Sequence, residues 1–264
     1  MKIQRHLARR WFFLAAFLFA VSLAQAQLPV TTQIIPQIVD GGAWLTTLAV
    51  SNTGATQASA SLNFFQEIGN VSTPGATQPW SLLFAEMNTV QPQNLVLQPG
   101  STLFLHTLGT APSTTIGWGE LVQPIGGSVV AYAIFTQRLA GRADQDGTAP
   151  AAAAGNRILV PFDNTNGAVT TIAIANPSAV NESILVGIRT PLGTIQPSPI
   201  TLPPQGHASF TFPEQFPWST NQSGLAELYT VNGTFSILSL RFNSGAFTTA
   251  PVYSVTGSPI LIPQ

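Results

Sequence analysis

Thr46-Thr47-Leu48-Ala49-Val50-Ser51-Asn52 and Thr170-Thr171-Ile172-Ala173-Ile174-Ala175-Asn176 are the two stretches that decide the fold. Each alternates its side chains with a period of two and closes on an asparagine before a turn, the pattern of a half-buried strand. They stand 124 residues apart, from Thr46 to Thr170. Two further matches recur in the same order: Leu97-Gln98-Pro99-Gly100 with Leu202-Pro203-Pro204-Gln205-Gly206, and Gly119-Glu120-Leu121 with Ala226-Glu227-Leu228. Their offset is 106 to 107 (Gly100 to Gly206, Glu120 to Glu227), so the first copy carries about eighteen extra residues, within the segment 71–94. Conserved order with drifting spacing points to a diverged duplication.

Working outward, the first copy reads as seven short strands: Ile34 to Val39, Trp44 to Ser51, Ala58 to Phe65, Asn94 to Leu97, Thr102 to His106, Ile116 to Val122 and Ser128 to Thr136. Gly126-Gly127 and Asn232-Gly233 read as hairpin turns that use positive φ angles. Strands at this spacing predict a sandwich. The expectation is an all-β chain of two tandem immunoglobulin-like β-sandwich domains after a cleaved signal peptide. The domains would be 27–139, with an insertion near 71–94, and 157–264, joined by a linker at 140–156 rich in polar and small residues.

Residues 1–26 predict the export signal: Lys2, Arg5, Arg9 and Arg10, then an apolar run from Trp11 to Leu23, then Ala24-Gln25-Ala26 as a cleavage site. The run is shorter than the roughly 18 to 20 residues that span a bilayer. Arg9-Arg10-Trp11-Phe12-Phe13 also resembles a twin-arginine signal, although the hydrophobicity behind it favours the general secretory route. Without residues 1–26 the chain has five arginines, no lysine and ten acidic residues, a net charge of −5. So sparse and acidic a surface cannot neutralise a run of phosphates, which makes nucleic acid and anionic membrane poor partners. No cysteine is present, which excludes disulfides, thiolate metal sites and a cysteine-linked lipid anchor.

The chemistry-bearing residues are few. His106 and His207 occupy different places in the two copies and predict no metal pair. Asp144-x-Asp146-Gly147 and Asp163-x-Thr165-Asn166-Gly167 resemble fragments of calcium loops but lack the later acidic residue that closes such a shell, and the same residue types make ordinary turns. Glu120 and Glu227 recur at matched positions, yet a glycosidase needs two carboxylates facing one sugar and these belong to different copies. Neither a Gly-x-Ser-x-Gly elbow nor a phosphate loop occurs. Trp44 and Trp118 lie in strand patterns and predict core. Trp80 and Trp218 lie outside them and are the candidate ligand contacts, with capping of a sandwich end as the structural alternative.

Ile158-Leu159-Val160-Pro161-Phe162-Asp163-Asn164-Thr165-Asn166-Gly167, then Ala173-Ile174-Ala175-Asn176-Pro177-Ser178, Leu240-Arg241-Phe242-Asn243 and Phe247-Thr248-Thr249 resemble secreted soil-bacterial tandem-repeat proteins with immunoglobulin-like repeats. That resemblance implies fold and export and assigns no functional residue. The expected function is a non-enzymatic, cofactor-free secreted or cell-surface module that binds protein or polysaccharide. A self-assembling surface fibre or matrix subunit is the alternative, and a periplasmic two-domain chaperone using Arg138, Arg142 and Arg157 the third reading.

Overall fold

The computed structural model describes residues 29–68, 75–87 and 93–263; the expected signal peptide at 1–26 and parts of the 71–94 insertion lie outside the described residues. The chain is all-β, and Thr31–Gln264 forms one compact unit. Its first nine strands are β1 (Val30–Asp40), β2 (Trp44–Asn52), β3 (Ala58–Glu67), β4 (Thr77–Pro79), β5 (Gln93–Leu97), β6 (Thr102–His106), β7 (Thr115–Pro124), β8 (Val129–Gln137) and β9 (Gln145–Pro150). The next ten are β10 (Arg157–Asp163), β11 (Ala168–Ala175), β12 (Glu182–Thr190), β13 (Gly193–Ile195), β14 (Ile200–Leu202), β15 (His207–Thr211), β16 (Ser223–Tyr229), β17 (Ser236–Asn243), β18 (Ala246–Ala250) and β19 (Tyr253–Ser254). Among the described residues a short helix, α1 (Phe212–Gln215), is capped by the Thr211 hydroxyl and followed by a 3-10 turn at Pro217–Ser219.

These strands build four sheets. Sheet I runs β1-β7-β3-β4 with β5 also on β3, and sheet II runs β6-β2-β8-β9. Sheet III runs β13-β12-β16-β10-β19 with β14 also on β12, and sheet IV runs β15-β11-β17-β18. Adding nine to each strand number of sheets I and II gives the order of sheets III and IV, with β19 as an extra edge. The register repeats as well, since Asn63 stands opposite Glu120 and Gly187 opposite Glu227.

The order within each half is not the immunoglobulin one. There the first strand joins the second and the last joins the sixth. Here β1 joins β7, and β8 joins β2. A second departure concerns the expected linker, 140–156, which carries β9 in register with β8 from Gln137↔Gln145 to Tyr132↔Pro150. A third concerns the turns: Gly126 has φ +78, but neither Asn232 nor Gly233 has a positive φ. Gly233 instead lies against the Glu182 carboxylate, which would have to shift to admit a Cβ there.

Alternation fills two cores. Ile35, Leu62, Phe64 and Leu121 of sheet I share one apolar cluster with Leu48, Val50, Leu105 and Phe135 of sheet II. Ile158, Val160, Val186 and Leu228 of sheet III share another with Ile172, Ile174 and Ile237 of sheet IV. Each half then uses the same two polar devices. The Thr46 hydroxyl donates to Val39 O and accepts from Val39 N, as the Thr170 hydroxyl does with Asp163. Asn52 donates to Thr56 O and Leu97 O and accepts from Gly54 N; Asn176 donates to Val180 O and Pro203 O and accepts from Ser178 N. Both asparagines are buried, so each satisfies loop carbonyls that would otherwise lose water without a replacement partner.

The halves are docked. Ala173 and Leu238 of the second half belong to the first half's core cluster, and Ile34, Phe65, Trp118 and Ala175 form a small cluster of their own across the junction. Trp118 stacks on Phe65 at 4.4 Å and donates its indole N–H to Gln205 O at 2.8 Å. His207, fully buried, sets Nδ1 2.5 Å from the Glu67 carboxylate and donates from Nε2 to Pro36 O. At the opposite margin the edge strands β9 and β18 abut through side chains: the Thr249 hydroxyl accepts from Thr148 N and donates to Thr148 O, while Gln145 bonds Phe247 N and Gly245 O. Each strand shields the other's edge from strand addition. Among the described residues, no helix is long and apolar enough to cross a membrane.

Candidate functional site

The residues singled out from the sequence scatter over the fold. Trp80 is buried in the first core and packs there with Leu82 and Phe84; Trp218 is half-buried in the 3-10 turn, tilted against Phe216 at 6.1 Å. The Trp80 indole is thus taken up by packing, while that of Trp218 packs on the second core and keeps part of its surface open. Asp144 pairs with Arg138 at 3.2 Å, and Asp146 accepts from the Thr136 hydroxyl. Asp163 accepts from Thr165 and from Arg241, which together hold its carboxyl below the ordinary range. Among the described residues, no three His, Cys, Asp or Glu side chains gather where they could hold a metal ion. His106 pairs with Glu86 at 2.5 Å in the first half, whereas His207 lies in the junction.

Glu120 and Glu227 do occupy matched places, and their different surroundings are informative. Glu227 is fully buried, 2.6 Å from Arg157 Nε, and accepts from the backbone N–H groups of Ile260 and Leu261. The segment 256–263 thereby lies over sheet III, with Leu261 and Ile262 buried and Arg157 Nη1 donating to Thr256 O. Gly187, opposite Glu227, is what admits this segment: a Cβ there would lie 2.7 Å from Leu261 O. In the first half the same register position is Asn63, whose Nδ2 donates to Glu120 at 2.9 Å. One side-chain amide thus replaces the two backbone amides of the covering segment. Burial raises Glu120 above the usual carboxylate range, and the Asn63 bond offsets only part of that. The two carboxylates are polar anchors on separate sheets and do not face a common cleft.

The outer face of sheet II has a different character. Leu48, Leu105, Ala131 and Ala133 point into the core, so their neighbours point out. Across the sheet Phe104 stands opposite Ala49, Ala49 opposite Tyr132, and Tyr132 opposite Pro150. The next row is Thr102, Ser51 and Val130; the one on the other side is His106, Thr47, Ile134 and Thr148. Phe104, Val130 and Tyr132 are 46%, 43% and 40% exposed, while Ala49 lies buried between the two rings. Two strand spacings put the Phe104 and Tyr132 backbones about 10 Å apart. Among the described residues, the Glu86–His106 pair and Asp146 stand at the rim of this face.

The matching row of sheet IV is Ser209, Ala173 and Leu238. There Ala173 and Leu238 are each only 4% exposed, covered by the first half. One outer face is closed within the chain and its counterpart is open. No family model matches this chain, and no curated protein matches it. The open face and the junction are thus the places that its own geometry marks out. Sequence pattern could not have found Phe104 and Tyr132, because alternation gives the same signal whether the outer face is open or covered.

Proposed function

We propose that the protein is an exported, non-enzymatic interaction module that holds a neutral polysaccharide on the open face of sheet II, and that its halves are diverged copies of one sandwich. The observation that carries the binding reading is the uncharged row Phe104, Ala49, Tyr132 and Pro150, whose two rings are exposed, whereas Ala173 and Leu238 at the matching positions of the other half are buried. Flat rings separated by a small residue suit the apolar faces of sugar rings, and the flanking Ser51, Thr102, Thr47 and Thr148 hydroxyls suit their OH groups. A net charge of −5 outside residues 1–26 opposes acidic polymers and is indifferent to neutral ones. The duplication is supported by the repeated strand order and by the paired devices at Thr46 and Thr170 and at Asn52 and Asn176.

A fibre built by head-to-tail repetition of the internal docking is less well supported. The end of the first half that covers Ala173 and Leu238 presents Val39, Trp44 and Phe135. Their register counterparts in the second half are Asp163, Ala168 and Arg241, the first and last of which form an ion pair. An apolar covering end is therefore not repeated, and heterologous docking would not propagate. The chaperone reading needs free basic groups at the joint. Arg138 is paired with Asp144, Arg142 donates to Gly245 O, and Arg157 is buried against Glu227.

Retention of the intact protein on neutral and acidic polysaccharide gels tests the proposal. Retardation by neutral glycans that disappears in Phe104→Ser/Tyr132→Ser is expected. Migration unaffected by every neutral glycan, or retention that survives the double substitution, would overturn it. Sedimentation that shows concentration-dependent assembly abolished by the same substitutions would favour self-association through that face.

A further inference from the structure

A second place, separate from the open face, lies where the halves meet. A cavity of about 180 Å³ opens between Gln37, Trp44 and Phe135 of the first half and Ser209, Leu240 and Phe242 of the second. Its aromatic walls are fixed in position: Trp44 packs on Phe247 at 5.4 Å, and Phe247 stacks on Phe242 at 5.3 Å. Well-packed interiors hold few voids larger than a water molecule, whereas an apolar cavity of about 150 Å³ accepts one benzene ring.

Polarity narrows the ligand further. No ionisable side chain lines the cavity, so a charged guest would lose its hydration without a counter-charge. Gln37 supplies a polar group at the wall, and its Oε1 is buried without a hydrogen-bond partner. Buried amide oxygens are nearly always bonded, and a guest with one hydroxyl or N–H group would complete this one after a small shift of the amide. We infer that the junction cavity binds a small uncharged molecule with one aromatic ring and one hydroxyl or N–H, of the phenol, benzyl alcohol or indole class. Both halves contribute walls, so such a ligand strengthens their docking. The ring of the guest lies against the cavity faces of Trp44 and Phe242, with its polar group toward Gln37.

Calorimetric titration and thermal melting of the intact protein with phenol, benzyl alcohol, indole and benzoate test this. Saturable one-to-one binding of the three neutral probes is expected, with a rise in melting temperature and at least tenfold weaker binding of benzoate. Ser209 is exposed at the rim, so Ser209→Trp closes the mouth without disturbing a core and abolishes binding while the melt stays cooperative. Leu240→Ala enlarges the cavity so that 2-naphthol, rejected by the unaltered chain, binds. Phe104→Ser/Tyr132→Ser leaves all of this unchanged, which separates the inference from the polysaccharide reading. No saturable binding of any neutral probe, benzoate binding as strongly as benzyl alcohol, or undiminished binding in Ser209→Trp would each overturn it.

Discussion

Replacing Glu227 by alanine is expected to be the most damaging single change on sheet III. The carboxylate is fully buried and holds Arg157, which is 8% exposed at its side chain, together with two backbone N–H groups of the covering segment. Removing one partner of a buried pair costs about 3–5 kcal/mol, because the other charge is left in a low-dielectric setting. Deleting residues 260–264 removes the same two N–H donors together with the buried Leu261 and Ile262 side chains. Burying two such side chains is worth about 3–6 kcal/mol as an upper bound. The deleted residues no longer have to be ordered, which returns several kcal/mol of chain entropy and leaves a net loss of about 2 kcal/mol. Since both changes break one contact, their combination should fall short of the sum by about 1–2 kcal/mol. Urea unfolding of the two variants and their combination measures this. Strict additivity, or an alanine variant that loses under about 1 kcal/mol, would refute the claim that the segment is held by Glu227.

Asn176→Ala strands Val180 O, Pro203 O and Ser178 N, and should cost about 3 kcal/mol in urea unfolding; Asn52→Ala should cost a similar amount. Phe104→Ser/Tyr132→Ser, at exposed positions, should move stability by no more than about 0.5 kcal/mol per site while removing glycan retention. Burial raises the folded-state pKa of Glu120, so any stability that depends on its protonated form is complete below the ordinary value of 4.5 and is lost as pH rises through the raised one. Glu120→Gln should accordingly flatten the stability profile in that window and leave the protein at least as stable at pH 7, as read from unfolding midpoints between pH 4 and 8. Asp163 shifts the other way: its contribution is present above 3.8 and fades as pH falls through the lowered value. Its partial exposure limits the loss in Asp163→Asn at pH 7 to below about 1 kcal/mol.

Much of the strand map is legible in the sequence, because alternation and turn residues act locally. Thr102–His106 forms where its pattern places it, and the 124 and 107 offsets return as the shared register of Asn63 with Glu120 and Gly187 with Glu227. Pairing is not local. Alternation tells which side chains share a face but not which strand lies alongside, so the joining of β1 to β7 and β8 to β2 is invisible until the chain is folded. Gln145-Asp146-Gly147-Thr148-Ala149-Pro150 reads as a connector on composition and becomes a strand because β8 and β18 flank it. Trp80 lies in no strand pattern, yet it fills the first core. The open face and the junction cavity depend on which surface the second half covers, a tertiary choice that no short pattern records.

The covering segment has a consequence for the order of events when the chain is made. Synthesis runs from the amino end, and the two N–H groups that satisfy Glu227 belong to residues 260 and 261, beyond every strand. Until they emerge, the Arg157 and Glu227 pair has no lid, and sheet III is left with a wet, charged outer surface. Ala173 and Leu238 in turn complete the first half's core. Neither half is therefore finished by its own strands alone: sheet III needs the covering segment, and the first half's core needs two side chains of sheet IV.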